Sequence, residues 1–281
     1  MIQYDKKGCK IEYRKIRGYK GKCIKLMIVS PKGSKSAELR PGVLWLHGGG
    51  YMLGFPEMVF MSRAADLVRR CGAVVLSPAY TLSWKKPYPA ALADSYYALT
   101  YMKKHAQELG IRSDQLMVGG ESAGGGLAAA LCIYARDKKA VHIAYQMPLY
   151  PMLDCKDTPS SMDNHGKVWN TRKNHLAWRL YLRNLKKNEI PPYASPARCS
   201  NYKNLPPAYT FVGSAEPFYC ETLTYIEELQ KAGVCAKVDV YPDRYHAFDM
   251  MEPDDLLSRK AARRFCEEFM YAKEHYYAPQ E

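Results

Sequence analysis

Ser122 lies in Gly120-Glu121-Ser122-Ala123-Gly124, with glycine two residues before it and two after. The apolar run QLMVGG leads into it and the small-residue run SAGGGLAAALCIYARD follows. That order places the serine at a sharp corner between a strand and a helix. A serine held there exposes its oxygen above a sheet, beside helix N–H groups that favour developing negative charge. The chemistry would be nucleophilic attack on an acyl carbon. A serine that merely caps a helix packed on the sheet gives the same local pattern, so the other parts of the machinery decide the matter.

His47-Gly48-Gly49-Gly50 follows the apolar run PGVLWL. Three successive glycines let backbone amides turn inward with no Cβ in the way. Two such amides, with the N–H of Ala123, would hold a tetrahedral oxyanion. The loop lacks the lysine and spacing of a phosphate-binding loop, and it lacks G-x-G-x-x-G. The chain has seven histidines. His47 is expected to brace its own glycine loop. His246, in PDRYHAFD, follows the last strand-like run and lies C-terminal to the serine, as the order serine, acid, histidine requires. It is the candidate base. The acid should leave another strand end between the two. Glu216 does so after AYTFVGSA, while Asp243 and Asp154 are the alternatives.

These groups need a scaffold that brings several strand ends together. Residues 10–17 and 22–30 alternate around GYKG and predict a β-hairpin. Beyond it, strand-like and helix-like runs alternate. Strands are expected at 41–46, 73–78, 115–120, 142–151, 207–215 and 236–242. Helices are expected at 56–72, 90–110, 122–137, 221–233 and 256–275. That alternation predicts an α/β fold, a mostly parallel sheet with helices on both faces and the hairpin at an edge. Residues 1–281 form one such domain in this reading. Residues 154–205 break the rhythm and predict a lid insertion containing a helix at 174–185.

The 41 Lys+Arg exceed the 28 Asp+Glu and give a formal charge of +13, which invites a nucleic-acid partner. The excess is local. Residues 1–40 hold 12 basic and 3 acidic side chains, and residues 154–205 hold 10 and 4. No helix-turn-helix, zinc or RNA-binding signature accompanies them, so no nucleic acid is expected. MIQYDKKGCKIEYRK carries no secretion signal, and no run is long and apolar enough for membrane insertion. Nine scattered cysteines without a C-x-x-C pair argue against zinc and for a reducing cytoplasm.

HGGG at 47–50, PYPAALAD at 87–94, GESAGG at 120–125, YASP at 193–196, LPPAYTFVGSAEPFYCE at 205–221 and YHAF at 245–248 together resemble the hormone-sensitive-lipase branch of the α/β-hydrolases. The likeness covers roughly residues 40–275 of this carboxylesterase family. It implies an α/β-hydrolase fold, Ser122 as nucleophile, His246 as base, Glu216 as acid, and an oxyanion hole from Gly49, Gly50 and Ala123. It implies no metal and no organic cofactor. Glu121 stands where the family usually has Asp, and the hairpin replaces the N-terminal cap helices of longer members.

The expected activity is a serine carboxylesterase acting on short-chain, acetyl-like esters, with a small-molecule ester as its partner. Tyr51, Trp169, Trp178 and Tyr181 are candidate substrate-binding residues. An edge strand or the last helix would serve a homodimer. The rivals are a noncatalytic ligand-binding protein on the same fold, and a triad hydrolase of amides, peptides or lactones.

Overall fold

The computed structural model describes residues 7–33 and 39–280. The first six residues of the segment read for a secretion signal therefore lie outside the described residues. Eight strands make one sheet. β1 (Cys9–Arg17) and β2 (Cys23–Pro31) form the N-terminal hairpin. β3 (Arg40–Leu46), β4 (Val74–Pro78), β5 (Ile111–Glu121), β6 (Tyr145–Leu149), β7 (Ala208–Gly213) and β8 (Ala236–Tyr241) follow. The spatial order is β1-β2-β4-β3-β5-β6-β7-β8. β2 runs antiparallel to both neighbours, and β3 to β8 are mutually parallel. After β3 the chain moves to β4 on one side, then crosses to β5 on the other. That reversal opens a crevice at the carboxyl ends of β3 and β5, where α/β sheets bind ligands.

Alternation along β3 builds both layers of the core. Leu44 and Leu46 point to the layer holding α2 (Ala90–Lys104), α3 (Ala123–Lys138) and α5 (Tyr219–Lys231). Val43 and Trp45 point to the layer holding α1 (Ala64–Arg69) and α7 (Leu256–His275). α3 lies against the strand ends because its first turn has almost no side chains. A Cβ at Gly124 would sit 2.0 Å from the carbonyl oxygen of Leu46.

Two expected helices are shorter than their patterns. Over 56–72 a 3-10 turn at Pro56–Met61 precedes α1, because Ser62 is extended and its hydroxyl accepts from the Ala64 amide. α2 stops at Lys104, and Gly110 turns the chain with φ +68°. Between β6 and β7 lies the insertion with α4 (Thr171–Leu182), which starts earlier than expected because the Asn170 side chain caps the Lys173 amide. A short α6 (Phe248–Met251) follows β8. No helix among the described residues is long and apolar enough to cross a membrane.

Candidate active site

Ser122 sits between β5 and α3 with φ +59° and ψ −123°, a conformation that non-glycine residues rarely adopt. The corner is held from both sides. Its amide donates to Leu149 O at 3.0 Å, and its carbonyl accepts from Gly126 and Met152. Helix and neighbouring loop thus hold the backbone at this corner. Oγ lies 2.9 Å from Nε2 of His246.

His246 lies on the loop after β8. That loop is stitched to the loop after β7. Ser214 N donates to Tyr241 O, Ala215 N to Arg244 O, and Asp243 N to the Ser214 hydroxyl. Glu216 is thereby carried beside His246, and its Oε2 is in a short contact with Nδ1. Its other oxygen accepts from the Gly213 amide at 3.1 Å. With Glu216 ionised, Nδ1 holds the ring proton and Nε2 is left to accept from Ser122. Burial pushes the Glu216 carboxyl up, while His246 and the Gly213 amide pull it back. Asp243 is exposed, and the Asp154 carboxylate accepts from the Lys156 amide instead. Glu216 is the candidate acid that reaches His246.

The glycine loop faces Ser122 across the crevice. Gly49 and Gly50 have φ of +108° and +61°. A Cβ at Gly49 would lie 2.4 Å from Leu53 O. Among the described residues neither amide has an intramolecular hydrogen-bond partner. His47 braces this loop: Nδ1–H donates to Gly48 O at 2.8 Å, and its ring stacks on Tyr80 at 4.1 Å. Burial lowers the His47 pKa to about 4, so the ring is neutral.

Glu121 performs a task that motif spacing does not reveal. It is buried under the loop, accepts from Trp45 Nε1 at 2.5 Å and from the Gly48 amide at 3.2 Å. Burial pushes its carboxyl up to about 8. Arg63 and Asp249 form a second buried contact, 3.1 Å apart, three residues beyond His246. The only sequence signal for either was a charged residue inside an apolar run.

The four candidate pocket aromatics divide. Trp169 covers the site, since a Cβ on Gly50 would meet its ring at 2.3 Å, and its centroid is 6.4 Å from that of His246. Tyr51, Trp178 and Tyr181 pack mainly on each other, with Tyr51 stacked on Tyr181 at 4.0 Å. Phe218 and Tyr150 also stand edge-on to His246, at 5.1 and 5.2 Å. Neither is singled out by sequence patterning. Ser122 is only 6% exposed beneath these rings. Among the described residues no three His, Cys, Asp or Glu side chains converge on a metal position.

A family model described as the alpha/beta hydrolase fold matches residues 43–250. An esterase of Mycobacterium tuberculosis, LipI, is 31% identical over 200 residues, 70% of this chain and 62% of its own length. An ethyl acetate hydrolase of Pseudomonas putida is 26% identical over 234 residues, 82% of this chain and 73% of that protein. The solved structure of a bacterial heroin esterase superposes with a TM-score of 0.88 at 29% identity, covering 95% of this chain and 85% of that one.

Proposed function

The chain belongs to the α/β-hydrolase family, in its hormone-sensitive-lipase-like carboxylesterase branch, and from that premise we propose that it is a serine esterase of short-chain acyl esters. The observation that carries this reading is the continuous run Ser122–His246–Glu216 beside the amides of Gly49 and Gly50, which have no partner among the described residues.

In this mechanism Ser122 Oγ attacks the ester carbonyl as its proton passes to His246 Nε2. The oxyanion is held by the amides of Gly49, Gly50 and Ala123. His246 then gives the proton to the departing alkoxide, leaving an acyl-serine and a free alcohol. Water enters, loses a proton to His246, and releases the carboxylic acid and Ser122. Glu216 keeps the ring oriented and stabilises the imidazolium. Glu121 positions the glycine loop through Gly48 and does not touch substrate.

Short acyl groups are favoured by the closed site, where Trp169 rests on Gly50 above a nearly buried serine. The named activity of the Pseudomonas putida relative, on ethyl acetate, points the same way. We take residues 154–205 as the lid and the nine unpaired thiols as fitting a reducing compartment. The test is kcat/KM for p-nitrophenyl esters from acetate to decanoate, with wild type and Ser122→Ala. The expected profile peaks at two to four carbons, and Ser122→Ala loses about 10^4-fold or more. A peak at decanoate overturns the acyl preference. Undiminished turnover by Ser122→Ala overturns the serine mechanism.

A further inference from the structure

The outer flank of α4 carries a cavity of about 420 Å³, separate from Ser122. Its floor is apolar, made by Trp178, Leu182, Leu185 and Ile190. Its rim carries the cations Arg179, Arg183 and Lys187, with His175 beside them. Among the described residues no acidic side chain lines it. Clefts that take small ligands run from about 300 to 1,000 Å³, so the volume suits one.

The rim side chains differ in availability. His175 is engaged by Asp157 at 2.8 Å. Arg183 is spent on backbone, donating to Ser83 O and Leu180 O. Arg179 and Lys187 have no ion-pair partner among the described residues. Residues 171–188 contain six Lys and Arg and no Asp or Glu. A floor of aliphatic and indole surface under two uncommitted cations matches one kind of occupant: an apolar chain ending in an anion.

We propose that this cavity binds a medium-chain carboxylate, with the tail on Trp178, Leu182, Leu185 and Ile190 and the carboxylate between Arg179 and Lys187. The site is distinct from the hydrolytic centre and does not depend on the esterase reading. It adjoins that centre through packing. The ring of Trp178 lies 6.0 Å from that of Tyr51, the residue directly after Gly50.

The test is calorimetric titration of the full chain with decanoate, hexanoate and decyltrimethylammonium. Decanoate should bind, with affinity falling about two- to fourfold for each methylene removed, the value of partly to fully buried CH₂ groups. The cation with the same tail should bind at least tenfold more weakly. The double variant Arg179→Glu/Lys187→Glu should weaken decanoate about tenfold, as expected for losing two partly exposed ion pairs. Both positions are exposed, and an unchanged thermal midpoint verifies the fold. Raising NaCl from 0.05 to 0.5 M should weaken wild-type binding and leave the double variant nearly unaffected. No decanoate binding, equal binding of the cationic amphiphile, or an affinity unmoved by the double variant would overturn the proposal. The last outcome includes decanoate seated at Ser122 instead.

Discussion

The strand-end loops and the insertion at 154–205 are built on different principles. Each catalytic candidate leaves the carboxyl end of a parallel strand and is fixed by backbone hydrogen bonds. Ser122 is tied to Leu149, Gly126 and Met152, and the loops of Glu216 and His246 are tied to each other. The insertion has no strand of its own and is held mainly by side chains. Ser160 donates to Pro217 O and accepts from Cys220 N, and Asn164 donates to Ala215 O. Those three bonds grip the Glu216 loop from outside. The difference teaches a division of labour. Under the proposed esterase reading, the backbone-fixed loops would set the reacting geometry, and the side-chain-held insertion would set what enters and could change without moving the sheet.

If that division is right, substitutions in the two regions differ in kind and size. The largest effect after Ser122→Ala is expected at the acid. Glu216→Gln should lower kcat about 10^3- to 10^4-fold, because the amide favours the wrong ring tautomer. Asp243→Asn, on the exposed side of the same loop pair, should leave kcat within about twofold. Steady-state kinetics of both decide it, and a similar loss in the two variants would remove the acid from Glu216.

Gly49→Ala comes next. The added methyl would strike the Leu53 carbonyl at 2.4 Å in a backbone with φ +108°. Displacing one oxyanion donor should cost about 100- to 1000-fold in kcat. An unchanged kcat would mean that this amide does not serve the hole.

A stability effect follows from His47. Its pKa falls from 6.5 unfolded to about 4 folded, by burial. The unfolded chain therefore binds the extra proton between pH 6.5 and 4. Stability from this group is complete above 6.5 and is lost as pH falls through that window, by about 3 kcal/mol. Glu121 acts in the opposite sense: its raised pKa lowers stability as pH rises from 4.5 towards 8. Comparing wild type with His47→Gln cancels the Glu121 contribution. The stability gap between them, read by denaturant unfolding, should shrink by about that amount from pH 7 to pH 4. A gap independent of pH would show that the ring is not held neutral.

The smallest effect belongs to the cover. Trp169→Ala should leave acetate turnover within a few-fold and raise hexanoate relative to acetate about tenfold, the worth of a methylene-sized contact in an apolar pocket. A loss of several orders of magnitude would erase the division between loops and cover.

Much of this was legible in the chain because its signals are local. Glycines flanking Ser122 mark a turn that other residues resist, and the apolar runs before Ser122, Glu216 and His246 mark strand ends. Their alternation with helical runs predicts the parallel sheet and the hairpin at its edge. What escaped depends on groups far apart in sequence. Glu121 meets Trp45 across 76 residues. Trp169 reaches Gly50, and Arg63 reaches Asp249, only after the insertion and α6 have folded over the sheet. Periodicity assigns each of these side chains to a face of its own element and says nothing of what lies opposite.

By itself the sequence determined the order of elements, the corner at Ser122 and the glycine loop, since backbone conformation answers to nearest neighbours. Only the tertiary structure decided which carboxylate meets His246, which aromatic covers the site, and where the cations on and just after α4 gather over an apolar floor. Those outcomes depend on distances between side chains that the strand crossovers and the β6–β7 insertion bring together.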